Sequence, residues 1–204
     1  YIFHLLFIVF FYSCYTDDSL EPALIQEAKN YLHLSHTRTN SNPNMDSVVE
    51  NTCFSKFDML WLGGDLSQST SSDDITISHV NSIFDIENNN TLWALGNHDY
   101  SDLNKIQDYT GRPPFYSFHK NGITYIVLDT QDSLSNIIGP QKNIFEEITD
   151  TIKESSHLII LHHKLIWMYG NNDLEHQIDS ISNGKFGNCF YCINPNNFYT
   201  HIYP

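Results

Sequence analysis

From residue 30 onward, short apolar runs alternate with polar, turn-rich stretches, and their spacing predicts strands alternating with helices. A strand is expected over 31–35, followed by a turn-rich loop over 36–44. A helix is expected over 45–53, capped by Asn44 or Asp46, and then a strand over 57–62. The polar loop 67–74 leads to a helix over 74–84, and Asn88-Asn89-Asn90 turns the chain into a strand over 91–95. After Asp99 a helix or loop runs to Gly111-Arg112-Pro113-Pro114, which interrupts regular structure. Residues 115–119 and 123–128 read as a hairpin closed by Lys120-Asn121-Gly122. Gly139-Pro140 opens a helix reaching residue 154, with Ile144, Ile148 and Ile152 as its inward face, and a strand follows over 158–161. Beyond Lys164 the pattern weakens into Asn-, Gly- and aromatic-rich sequence, and no internal repeat stands out. The alternation points to the α/β class.

Three of the apolar runs end alike. Trp61-Leu62 gives way to Gly63-Gly64-Asp65, Leu95 to Gly96-Asn97-His98-Asp99, and Ile159-Ile160-Leu161 to His162-His163. Short apolar runs suit strands covered on both faces, and in open α/β sheets ligands gather at the carboxyl ends of strands. A carboxylate such as Asp65 can bridge two divalent metals, Asn97 offers a carbonyl oxygen, and His162 offers an imidazole nitrogen. Such mixed sets suit Mn, Fe, Zn or Co and leave positions open for water and a phosphate oxygen. Two metals roughly 3.5–4 Å apart acidify a bridging water and clamp the oxygens of an in-line displacement. His98 follows Asn97 directly, so its ring can project over a substrate and give a proton or hydrogen bond to it. Asp99 is then expected to orient His98 or to cap the next helix. Each piece also has a plain reading: Asp65 as a helix cap, Asn97-His98-Asp99 as a polar turn. Their shared register favours a common site.

Composition narrows the picture further. A chain of 204 residues holds one sizeable domain with a proper core. With 24 acidic against 10 basic residues the formal charge is −14, and the basic face of a nucleic-acid binder is missing. Residues 1–12 are apolar apart from His4 and are followed by Ser13-Cys14. The run is shorter than the roughly 20 residues that span a bilayer, and it fits a secretory h-region of about 7–15; the alternative is a truncated transmembrane or core segment. A Cys directly after it resembles the lipobox of bacterial lipoproteins, which implies export and a lipid anchor on Cys14. The expected division is a signal-like segment over 1–14, a tether and early helix over 15–29, and one domain over 30–204. The start at Tyr1 and the tail over 198–204 make both ends look cut. Cys53 reads as a small buried hydrophobe, and Cys189 and Cys192 as a local disulfide or two packed thiols.

Gly64-Asp65, Gly96-Asn97-His98-Asp99 and His162-His163, each after an apolar strand and in that order, resemble the calcineurin-like metallophosphoesterase family. Its pattern is D-x-H, GD, GNH(D/E), H and GHxH. Gly111-Arg112-Pro113, Tyr116-Ser117-Phe118 and Ile126-Val127-Leu128-Asp129 are similar to the hairpin that follows GNHD there. The resemblance covers residues 31–167. It implies a two-sheet β-sandwich flanked by helices, incomplete at the C-terminus, with two divalent transition metals, Mn, Fe or Zn. It assigns Asp65, Asn97 and His162 as metal ligands, with His163 as the alternative to His162, and His98 as the catalytic contact to the leaving group or phosphoryl oxygen, assisted by Asp99. Where the family has D-x-H, this chain has His36-Thr37-Arg38. His36 can still bind a metal; Arg38 is permanently charged and is expected to hold a phosphate instead. GHxH is not found, and Gln68 stands where a purple-acid branch carries tyrosine.

The resemblance therefore implies metal-dependent hydrolysis of a phosphate mono- or diester by a metal-activated water. The alternative is a binding or scaffolding module at the cell surface that keeps this fold without the chemistry. The expected partner is a phosphate-ester substrate, with no nucleic-acid duplex and with membrane contact only through the N-terminal anchor.

Overall fold

The computed structural model describes residues 29–132, 137–153 and 155–164. The expectations for the signal-like segment, for the tether up to residue 28, and for Cys189 and Cys192 fall outside them.

Strands β1 (Tyr31–Leu34), β2 (Met59–Leu62) and β3 (Thr91–Trp93) form a parallel sheet in the order β1-β2-β3. Parallel strands need crossovers. These contain the short helix α1 (Ser47–Glu50) and the longer α2 (Asp74–Phe84), while α3 (Leu103–Thr110) follows β3. Each of the three helices starts on an aspartate whose side chain accepts a backbone N–H of the first turn: Asp46, Asp73 and Asp102. Helix α1 falls short of the expected span because Asn51 Nδ2 and Thr52 Oγ1 bond back to Ser47 O and Val48 O, competing with the helical ladder.

A second sheet follows, with β4 (Tyr116–Lys120) antiparallel to β5 (Ile123–Val127) and β6 (His157–Leu161) parallel to β5. Asn121 (φ 54°) and Gly122 (φ 72°) close the hairpin with both central residues left-handed, which suits the twist of the paired strands. Helix α4 (Gly139–Thr151) carries the chain across from β5 to β6. Its inward face is led by Gln141 and Phe145, with Ile148 packed beside them; Ile144 is only half-buried, so the expected face is rotated by one residue.

Strand alternation divides the core. Leu60 and Leu62 turn toward Ile77, Val80 and Phe84 of α2 and Ile106 of α3. Met59 faces the other way, into a layer that also contains Leu92, Tyr125, Val127 and Leu161, with Trp61 against it. That layer draws on strands of both sheets, so the two share one core. Ile126 and Leu128 pack on Phe145 beneath α4. Each fully buried side chain of this size stabilises the fold by roughly 1.5–3 kcal/mol relative to exposure. The expected α/β class is found, as two small sheets and four helices. Cys53 is exposed and free, against the expectation of burial, because it caps a single 3-10 turn (Phe54–Lys56) that buries only Phe54. No described helix is long and apolar enough to cross a membrane.

The carboxyl ends of β1, β2 and β3 lie side by side. Gly63 N donates to Leu34 O at 2.7 Å, His36 N to Gly64 O at 2.9 Å and Ala94 N to Leu62 O at 2.8 Å. These bonds hold the loops carrying His36, Asp65 and His98 together before any side chain is considered.

Candidate metal centre

Beyond β2 the chain reverses through two consecutive left-handed residues, Gly64 (φ 86°) and Asp65 (φ 56°). Glycine is required at the first: a Cβ there would stand 2.4 Å from Gly96 N and 2.8 Å from Ala94 O. Asp65 carries a side chain in this conformation at a cost of roughly 1 kcal/mol. The turn is held by Asp99. Its Oδ2 accepts Asp65 N at 2.7 Å and Gly96 N at 2.8 Å, and its Oδ1 accepts Leu66 N at 3.1 Å and the Thr70 hydroxyl. Ser71 Oγ also donates to the Asp99 carbonyl at 2.7 Å. Burial pushes the Asp99 carboxyl above the ordinary range, although these donors pull it down.

The Asp65 carboxylate is 2% exposed overall and is approached on both oxygens. Oδ1 lies 3.6 Å from His163 Nε2 and accepts His98 N at 3.1 Å; Oδ2 lies 3.7 Å from His36 Nε2 and 3.5 Å from Arg38 Nε. The His36 and His163 rings stack with centroids 5.0 Å apart. One ligand atom from each of His36, Asp65 and His163 falls within 4.8 Å of the others. Bonds of about 2.0–2.1 Å to a tetrahedral ion place its ligands roughly 3.4 Å apart, so this donor set needs little closure to hold one ion.

The ring tautomers agree with that use. His163 Nδ1 is 2.7 Å from Gly63 O, and a carbonyl only accepts, so Nδ1 carries the proton and the lone pair of the neutral ring sits on Nε2, toward Asp65. A histidine fixed in this way by a backbone carbonyl is typical of metal ligands. His36 Nδ1 lies 2.8 Å from Ser35 Oγ. Burial lowers the His36 pKa; Asp65 opposes this, while His163 and Arg38 add to it. The lowered pKa favours the neutral ring that a metal ligand must be.

Of the residues expected at the site, Asp65 and His36 come together. His163 joins them, and His162 does not: its Nδ1 is bonded to Lys164 O at 2.7 Å, and its pKa is lowered first by burial. The physical reason is at Gly96 and Gly63. The absent Cβ of Gly96 leaves room for the edge of the His163 ring, and Gly63 O holds its far side. Asn97 is exposed and its side chain bonds to no described residue. Among the described residues, the His, Cys, Asp and Glu side chains form one three-donor cluster, that of His36, Asp65 and His163. Arg38 lies where expected, on the flank of Asp65, with Nη1 donating to Gln68 Oε1 at 2.9 Å.

His98 is half-buried, and its Nδ1 donates to Gln68 O at 2.7 Å, which leaves Nε2 free of described partners. Asp99 neither orients this ring nor caps the next helix; Gln68 O does the first and Asp102 the second. Asp99 is wholly buried and engaged in holding the Asp65 turn. The sequence offered Thr70 only as a polar loop residue, and Gln68 only as the residue in place of the purple-acid tyrosine, without its contacts to Arg38 and His98. Asp129 is buried, its carboxyl raised by burial, and accepts Tyr100 Oη at 2.7 Å and Gln131 N at 3.0 Å.

The arrangement offers two imidazoles and a carboxylate to one cation, with a guanidinium and a further imidazole alongside. No family model matches the chain, and no curated protein matches it.

Proposed function

We propose that the chain is a metal-dependent phosphate-ester hydrolase, with one divalent transition metal held by His36, Asp65 and His163. The convergence of these three donors beneath Arg38 carries this reading. The shared core between two sheets, with helices on their outer faces, supports it as well, since this is the layering that a metallophosphoesterase-like sandwich implies. A bound divalent ion would acidify water and polarise a phosphoryl oxygen. The protein's own part is to place that oxygen. Arg38 holds the anion, the buried Asp65 and its Asp99 brace fix the ion's position, and His98, with Nδ1–H on Gln68 O, would act on the departing oxygen as an imidazolium, giving up its Nε2 proton and returning to the neutral ring. Export with a lipid anchor on Cys14 belongs to the same proposal.

The flank of Asp65 Oδ2 is taken by Arg38, so a single ion is proposed and a second is not. The same guanidinium favours the other reading, a non-catalytic anion-binding module. Hydrolysis of p-nitrophenyl phosphate separates them. Activity is expected to vanish on chelation, to return with Mn or Zn, and to fall about 100-fold or more in His98→Ala. Equal rates with and without metal contradict the hydrolase reading, and bound metal without turnover supports the module.

A further inference from the structure

We infer that Tyr100 and Asp129 are positioning residues, whose bond sets the two sheets at the spacing that brings Asp65 and His163 onto one ion. The inference rests on the metal-site reading and adds to it residues outside the donor set. The three donors come from different sheets. His36 and Asp65 leave the carboxyl ends of β1 and β2, and their loops are joined by the bond from His36 N to Gly64 O at 2.9 Å. His163 follows β6, in the second sheet. Its Nε2 stands 3.6 Å from Asp65 Oδ1, close to the roughly 3.4 Å that separates two ligands of a tetrahedral ion. That gap depends on what holds one sheet against the other.

Two loops carry the connection. On one side, Tyr100 follows Asp99, whose carboxylate grips Asp65 N and Gly96 N. On the other, Thr130 Oγ1 accepts Lys164 N at 3.0 Å, one residue beyond His163. Tyr100 Oη donates to Asp129 Oδ2 at 2.7 Å and joins the two. Asp129 is a rigid end for this bond. It is 1% exposed, its Oδ1 accepts Gln131 N at 3.0 Å and Asp132 N at 3.3 Å, and its backbone N and O are both taken by the Gln141 side-chain amide of α4. Leu128 N donates to Leu161 O at 2.9 Å, so the same loop is also tied to the end of β6. Burial and the Asp129 carboxylate push the Tyr100 hydroxyl above its ordinary value, which keeps it protonated to donate. Residues that orient ligands from outside the donor set act on metal affinity, and ligand positions tolerate shifts of only about 0.5 Å. Tyr116 supplies the comparison. Its Oη accepts Trp93 N at 3.1 Å, a bond that also crosses from one sheet to the other but lies outside this path.

Co(II) is the probe, titrated by visible absorption into wild type, Tyr100→Phe, Thr130→Val and Tyr116→Phe, with thermal melts of the same proteins before metal is added. Wild type is expected to bind one Co(II). Tyr100→Phe and Thr130→Val are expected to bind it about 10-fold more weakly, with an altered d–d spectrum. Tyr116→Phe is expected to melt lower yet keep wild-type affinity and spectrum. A merely structural role for Tyr100 would lower the melting temperature and leave the affinity and spectrum of the folded protein alone. Wild-type affinity in Tyr100→Phe, or an equal loss of affinity in Tyr116→Phe, overturns the brace while the metal-site reading stands. Absence of Co(II) binding in wild type overturns both, so the two failures are distinguishable. Should Tyr100→Phe not fold, Thr130→Val with wild-type affinity and spectrum overturns the brace equally.

Discussion

Replacing Asp99 with alanine is expected to cost about 3–5 kcal/mol of folding free energy and to remove metal binding together with it. The side chain is fully buried and accepts the N–H groups of Asp65, Leu66 and Gly96 and the Thr70 hydroxyl. Truncation leaves three backbone donors with no acceptor, each costing about 1–3 kcal/mol where water cannot reach it. The site suffers for a second reason. Asp65 sits in the left-handed region, and its own N–H and that of Leu66 are what Asp99 grips. Without that grip the turn relaxes and carries the metal carboxylate away from His36 and His163. In a chain of this size the loss corresponds to a melting temperature lower by on the order of 10 °C. Asparagine offers one acceptor oxygen and turns an amide toward N–H groups, so it is expected to recover little. Thermal and denaturant melts check the stability, and a metal titration of the folded variant checks the site.

Gly96→Ala is expected to be comparably damaging, through steric overlap. A Cβ there would stand 2.2 Å from Asp65 Oδ1, 2.6 Å from Asp65 N and 2.8 Å from His163 Cε1. Two of these neighbours are the metal donors' own groups and the third is backbone pinned by Asp99, so none can yield alone. Overpacking of this kind costs about 1–3 kcal/mol, and here it also separates two ligands of one ion. Gly111→Ala supplies the comparison. Gly111 is left-handed (φ 64°) at the end of α3, and a Cβ there meets nothing within 4 Å. It is expected to cost roughly 1 kcal/mol and to leave metal binding intact. If the two variants melt alike and bind metal alike, the close approach of Gly96 to Asp65 and His163 is not what shapes the site.

Much of the fold was legible in the sequence because its signals are local. The boundaries of α2, the Asn121-Gly122 hairpin and the apolar runs of β2 and β6 depend on periodicity and turn chemistry within a few residues. The α4 face was misread because Ile144, Ile148 and Ile152 are spaced four apart while Phe145 is the residue that reaches β5 and β6. At the site, the strand-end positions of Asp65, His36 and Arg38 could be read, since a parallel sheet gathers its carboxyl ends. The choice between His162 and His163 could not be. It depends on Gly63 O and on the space above Gly96, contacts 100 and 67 residues away that no spacing rule encodes. Gln68 was hidden for the same reason: what it does is set by Arg38, 30 residues earlier, and by His98, 30 residues later.

The central claim is that His36, Asp65 and His163 hold a single divalent ion. Calorimetric titration with Zn or Mn, alongside elemental analysis, tests it most directly in wild type, His163→Ala and His162→Ala. One ion per chain in wild type and in His162→Ala, with binding lost in His163→Ala, is the result expected. No bound metal in wild type, or loss in His162→Ala with retention in His163→Ala, would contradict it.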